Sequence, residues 1–109
     1  MAGKFTIFSG KSGKTYFNLK AGNGEIILAS QGYVDKSGAR NGVVSVKNNA
    51  GNPARFEKKV ASNGKFHFSL KAGNGQIIGN SEMYDSEKAR DAGIASVGAH
   101  AANAGLVEE

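Results

Sequence analysis

Phe5 and Ile7 alternate with polar neighbours, and Phe17 and Leu19 do the same against Tyr16, Asn18 and Lys20. A period of two with aromatic and β-branched content predicts two half-buried strands. The Gly10 to Gly13 segment between them supplies residues that tolerate positive φ in a hairpin turn. Gly22-Asn23-Gly24 offers the same chemistry ahead of Ile26-Ile27-Leu28, the third strand of a meander. Beyond Tyr33 the period lengthens. Ala39, Val43 and Val46 follow at spacings of four and three, and Asp35 stands where its carboxylate can cap the first turn of a helix. Gly38 and Gly42 here, and Gly93 in the next helix, each cost roughly 1 kcal/mol against alanine, which predicts short helices lying close to the sheet. Asn52-Pro53 ends the first helix, because a residue before proline is driven out of the α region.

The pattern then starts again. Leu19-Lys20-Ala21-Gly22-Asn23-Gly24 recurs as Leu70-Lys71-Ala72-Gly73-Asn74-Gly75, an offset of 51. The same offset carries Phe5 to Phe56, Gly13-Lys14 to Gly64-Lys65, Phe17 to Phe68 and Ile26-Ile27 to Ile77-Ile78. It also carries Ser30 to Ser81, Tyr33 to Tyr84, Gly42 to Gly93 and Ser45-Val46 to Ser96-Val97, with no gap. In the second copy Ser62-Asn63-Gly64 makes the first turn, and Ser86 takes the cap position with Glu87 behind it. Ala89, Gly93, Ile94 and Val97 form the buried stripe of its helix. A constant register over a whole module is the mark of a duplicated folding unit.

Each three-stranded meander would leave two open edges, and joining the two edge to edge removes exposed backbone. The predicted fold is therefore α+β: a tandem duplication of a β-β-β-α module, forming one mainly antiparallel sheet with two helices packed on one face. It is a pseudo-dimer within one chain, which favours a monomer. At 109 residues the chain suits a single domain, with repeat one at 4–52 and repeat two at 53–109.

Leu-Lys-Ala-Gly-Asn-Gly followed by Glu25-Ile26-Ile27, together with Ser81-Glu82-Met83-Tyr84 and Gly93-Ile94-Ala95-Ser96-Val97, resembles the YegP-like tandem-repeat family of small bacterial proteins. The resemblance spans nearly the entire chain. It implies one sheet shared by two units, with the segment after each helix adding a strand across to the other unit; here those segments are Ala54 to Val60 and Leu106 to Glu108. It also implies that one-repeat members pair as homodimers, which a two-repeat chain imitates internally. It implies no catalytic residues, since the family has no established biochemical activity. The chain departs at Val44 and Ala95, where an acidic residue is usual, and at Gly98-Ala99-His100, where lysines are common. Those departures argue against a charged surface on the second helix.

Composition narrows the chemistry. With no cysteine there are no disulfides, thiolate metal ligands or thiol nucleophiles, as suits a reducing compartment. Met1 to Thr6 holds a single lysine and no long apolar run, and no stretch approaches the roughly 18 apolar residues of a membrane span. The expectation is a cytoplasmic protein without a membrane partner. The net charge of +5 is uneven. Residues 1–52 carry seven Lys or Arg against Glu25 and Asp35, whereas residues 53–109 carry seven of each sign. An anionic partner for the first half is one reading; solubility of a small domain is the other.

Three motifs fail on their context. Gly10-Lys11-Ser12-Gly13-Lys14-Thr15 imitates the end of a phosphate-binding loop, but Phe8 stands where the first glycine belongs and a strand follows instead of a helix. Gly22-Asn23-Gly24 and Gly73-Asn74-Gly75 lack the third glycine and the helix of a dinucleotide fingerprint. Their backbone amides, with Lys20 and Lys71 alongside, could instead hold an anion, although such turns need only their glycine and asparagine. His67 and His100 have no ligating neighbours at metal spacing, so neither a metal nor a cofactor is expected. Tyr33 and Tyr84 at matching positions suit packing, with a surface hydroxyl.

Alternation leaves one surface of interest. If Phe17, Leu19, Phe68 and Leu70 face the helices, then Tyr16, Asn18, Lys20, His67, Ser69 and Lys71 face the other way, beside Lys4, Arg55 and Lys59. These six residues are the candidate ligand-binding set. A sheet displaying aromatic, amide and basic side chains suits single-stranded nucleic acid or another polyanion, although no RNP motif is present and a solvated face is the plain alternative. The first functional expectation is a non-catalytic binding or accessory module acting through this face. A structural or protein-interaction module comes second. An enzyme comes last, since no catalytic constellation is legible.

Overall fold

The computed structural model describes residues 3–10 and 12–108. Each copy follows its periodicities: β1 (Lys4–Ser9), β2 (Thr15–Lys20), β3 (Ile26–Ser30) and α1 (Lys36–Asn49), then β4 (Phe56–Val60), β5 (Phe66–Lys71), β6 (Ile77–Asn80) and α2 (Glu87–His100). A last strand, β7 (Gly105–Glu108), follows α2. The turns close on glycines at positive φ, Gly24 at 88° and Gly75 at 87° among them. Asparagine completes each: Asn23 Oδ1 accepts the Glu25 amide and Asn74 Oδ1 the Gln76 amide, both at 3.0 Å.

The helices are capped as the sequence predicts, Asp35 accepting from the Gly38 amide and Ser86 from that of Ala89. They are not short. Each runs 14 residues despite its glycines, because Gly42 and Gly93 are buried where the helix meets aromatic rings, and packing outweighs propensity.

The seven strands form one sheet in the order β4-β5-β6-β3-β2-β1-β7, antiparallel throughout except where β7 runs parallel to β1. The two copies join at β3 and β6 through Ala29↔Asn80 and Ser30↔Gly79. A Cβ on Gly79 would stand 2.9 Å from the Ala29 carbonyl oxygen, so this junction needs glycine. One hydrophobic cluster spans both copies, with Phe5, Phe17, Leu19 and Leu28 buried beside Phe68, Leu70, Val46 and Val97.

The segments after the helices differ. Gly105–Glu108 crosses back to the first copy and pairs with β1. Residues 54–60 do not cross to the first copy: they lead into β4, the second copy's own first strand, which among the described residues pairs with β5 alone. The buried stripe of α2 also needs one correction: Arg90, not Ala89, occupies the place of Ala39 and is only 6% exposed. Its guanidinium lies 5.5 Å from the Phe66 ring centre and its Nε donates to Asp91 at 3.2 Å, so the alkyl stem fills apolar space while the charge stays satisfied.

Candidate functional site

Cross-strand partners share a face, so the pairing registers define the surface opposite the helices. Its middle row reads Val107, Thr6, Asn18, Ala29, Asn80, Ser69 and Glu57 from β7 to β4. On one side of that row lie Lys4 opposite Lys20 and His67 opposite Lys59; on the other, Phe8 lies opposite Tyr16, with Lys71 on β5. All six candidate residues are therefore on one face, but they form two groups. Tyr16, Asn18 and Lys20 follow β2, His67, Ser69 and Lys71 follow β5, and β3 and β6 intervene. Three strand spacings separate them by about 14 Å.

The two groups also differ electrically. Ser69 is fully buried and donates its hydroxyl to Asn80 Oδ1 at 2.6 Å. Lys71 Nζ lies 3.1 Å from Glu57 Oε2 and Lys59 Nζ 3.3 Å from Glu57 Oε1. Hydrogen bonds from Lys71 and then Lys59 hold the Glu57 carboxyl below its usual pKa. Glu57 replaces Thr6 of the first copy, so only the second copy carries an internal counter-ion here. Lys4, Lys14 and Lys20 form no ion pair among the described residues.

Tyr16 is held on the open face by its surroundings. Its ring stacks on Phe8, with centroids 5.9 Å apart and planes 21° from parallel. A Cβ on Gly32 would stand 3.2 Å from the ring, and one on Gly10 would overlap it. Phe8 belongs to the candidate surface although the sequence reading did not select it. The signal was available, since the period of two that puts Phe5 and Ile7 inside puts Phe8 outside beside Tyr16. The second copy has Lys59 and His67 in these places and no such stack.

The Gly-Asn-Gly turns are less suited to anions than their composition suggests. The Ala21 amide donates to the Glu25 carbonyl and the Gly24 amide to the Ala21 carbonyl, each at 2.9 Å, while Asn23 takes the Glu25 amide. Most of the turn's donors are thus spent within it. The Gly10 to Thr15 segment is a hairpin turn in which the Gly10 amide meets the Lys14 carbonyl at 2.7 Å; Lys11 lies outside the described residues.

Tyr33 and Tyr84 stack on Phe17 and Phe68, with centroids 6.1 and 6.3 Å apart, and burial raises both phenol pKa values. His100 Nδ1 is 2.8 Å from the Ser96 carbonyl at the end of α2. There it lines a shallow hollow of about 530 Å³ with Ala21, Gly22 and Asn23. No group of three or more histidine or carboxylate side chains capable of holding a metal occurs among the described residues. No helix among them is long and apolar enough to cross a membrane.

The model of a domain of unknown function, DUF1508, matches this chain twice, over residues 11–57 and 61–108. The UPF0339 protein in the ptx operon 5′ region of Stutzerimonas stutzeri is 55% identical over 99% of this chain and 97% of its own length. The UPF0339 protein YegP of Escherichia coli K12 is 51% identical over 92% of this chain and 91% of its own. The solution structure of E. coli YegP, itself described as of unknown function, superposes with a TM-score of 0.94 at 47% identity, covering 100% of this chain and 94% of that one. That of a UPF0339 protein from Shewanella oneidensis gives 0.92 at 46%, covering 99% and 92%. With two copies of the domain, the same sheet and about half of its residues in common with these relatives, the chain belongs to the YegP-like UPF0339 family, whose function is unknown.

Proposed function

We propose that this chain is a non-catalytic binding module that takes single-stranded nucleic acid on the open sheet face of its first copy. The observation that carries the reading is the stacked Phe8–Tyr16 pair on the same face as Lys4 and Lys20, two cations without an internal partner among the described residues. Stacked rings offer sequence-tolerant surface to a base, and unpaired lysines meet phosphates as counterions leave. The β5 group contributes less, because Glu57 pairs with both Lys71 and Lys59 and offsets one of their two charges, and Ser69 is buried. Residues 4–52 are thus the binding unit and 53–109 chiefly its structural complement, in a cytoplasmic monomer.

The test is a two-dimensional amide NMR titration of the labelled protein with a short single-stranded oligonucleotide, at low and near-physiological salt. Saturable shifts at Phe8, Tyr16 and Lys20 that persist at the higher salt and vanish in Tyr16→Leu and Lys20→Glu support the site. Diffuse shifts abolished by salt, or shifts indifferent to both substitutions, refute it.

A further inference from the structure

The two outer edges of the sheet are not equivalent. At one, β7 covers β1 in parallel, with Phe5↔Leu106 and Ile7↔Glu108 in register. The Glu108 carboxylate takes two hydrogen bonds from Arg40 of α1, at 2.8 and 2.6 Å. At the other edge β4, the counterpart of β1, pairs among the described residues only with β5, so one row of its backbone N–H and C=O groups faces outward where that of β1 is covered. The offset of 51 puts Phe56 where Phe5 stands, Lys58 at Ile7, Asp91 at Arg40 and Ile94 at Val43. In the first copy Phe5, Ile7 and Arg40 meet β7. In the second, Phe56, Lys58, Asp91 and Ile94 line a groove of about 400 Å³. The chain's connectivity explains the difference. Residues after α1 pass through a 3₁₀ turn at Pro53–Arg55 straight into β4, and so cannot also lie alongside it.

We propose that β4 accepts an extended peptide from another protein, added in parallel as β7 is to β1, with an apolar side chain beside Phe56 and, two residues on, a carboxylate beside Lys58. Strand addition of this kind takes its affinity from main-chain hydrogen bonds and its specificity from alternate side chains. The first copy supplies the template, Leu106 and Glu108 at that spacing. Charge selects the acidic residue. Lys58 lies 3.3 Å from Asp91, which also accepts from Arg90, so two cations share one carboxylate. With Lys58 in the place of Ile7 and Asp91 in that of Arg40, the cation that meets an incoming carboxylate stands on the strand and not on the helix. One carboxylate beside Lys58 brings the group of Lys58, Arg90 and Asp91 to neutrality, whereas a cation there would add to the excess. A second copy of this chain is the poorer occupant. Its β7 is already paired and tied to Arg40, and two β4 edges meeting about Lys58 would set like charges opposite each other.

The probe is a capped peptide with the sequence of residues 102–108, Ala-Asn-Ala-Gly-Leu-Val-Glu, titrated into the labelled full chain. Saturable amide shifts at Phe56–Val60, Asp91 and Ile94, with slowed hydrogen exchange in β4, are expected. Replacing the peptide's glutamate by lysine is expected to weaken binding at least tenfold, and the Lys58→Glu protein to reverse that preference. Shifts confined to β1 and β7, no saturable shift, or equal binding of the two peptides to the unmodified protein would overturn the proposal. The peptide comparison does not depend on the variant folding.

Discussion

Gly42 of α1 lies against the Tyr33 phenol so closely that a methyl group on it would fall on the hydroxyl oxygen, and 2.7 Å from Phe17 Cε2. The second copy repeats the arrangement, with Gly93 under Tyr84 and a Cβ there 3.2 Å from Phe68 Cε2. An exposed helix interior gains about 1 kcal/mol when glycine becomes alanine. Here overpacking opposes that gain and typically costs about 1–3 kcal/mol. Gly42→Ala and Gly93→Ala are each expected to lower the midpoint of urea unfolding. A raised midpoint would mean that the tyrosine ring shifts aside at little cost.

Ser30 and Ser81 stand at equivalent positions and substitute for missing strand partners. Ser30 Oγ accepts the Phe17 amide at 2.8 Å and donates to the Gln31 carbonyl; Ser81 Oγ accepts the Phe68 amide at 3.0 Å and donates to that of Glu82. Alanine at either place leaves a partly buried N–H unsatisfied. The expected loss is about 1–3 kcal/mol for each, read from chemical denaturation, with faster amide exchange at Phe17 or Phe68. Unchanged exchange at those two amides would show that water takes over the bond.

The attachment of β7 is expected to depend on pH. Hydrogen bonding from Arg40 holds the Glu108 carboxyl below its ordinary value of 4.5. A depressed folded-state pKa contributes stability that is fully present above the unfolded value and is lost as pH falls through the folded one. Acidification below pH 4.5 should therefore loosen β7 from β1, seen as lower protection of the Gly105–Glu108 amides relative to their intrinsic exchange rate at each pH. Glu108→Gln should remove most of that pH dependence. Persistence of the full dependence in this variant would assign it to other carboxylates.

Removing the counter-ion on the second copy should extend polyanion binding across the sheet. Glu57→Gln frees Lys59 and Lys71 together. It is expected to raise oligonucleotide affinity several-fold, and the salt dependence should steepen by about 0.7 unit for each added phosphate contact, the single-strand value. Lys20→Glu should weaken binding more than Lys71→Glu does in the unmodified protein. Equal effects of the two lysines would argue against the asymmetry.

The meanders, turns and caps were legible because each rests on residues close together in the chain. Gly24 and Gly75 carry the positive φ that their turns require, and Asp35 and Ser86 cap as their spacing to the first helical turn predicts. The open face was legible too, since alternation alone assigns Tyr16, Lys20, His67 and Lys71 to one side. Helix length was misjudged for a physical reason: glycine's intrinsic cost is local, whereas the close contact that offsets it at Gly42 involves Tyr33 and Phe17. Arg90 was missed because a charged residue seldom occupies a core stripe, and its partner ring on Phe66 lies 24 positions earlier.

The sequence by itself determined the duplicated module, the alternation that divides each strand between core and solvent, and the concentration of positive charge in residues 1–52. These follow from short-range periodicity and from counting. Tertiary structure alone decided that the candidate residues form two groups separated by β3 and β6, that Glu57 pairs with Lys71 and Lys59, and that among the described residues β7 covers β1 while nothing covers β4. Each of those depends on which strand lies beside which. A repeat with constant register makes the two copies equal on paper; the chain's connectivity, which sends the segment after α1 directly into β4 and leaves the segment after α2 free to cross back, makes them unequal in space.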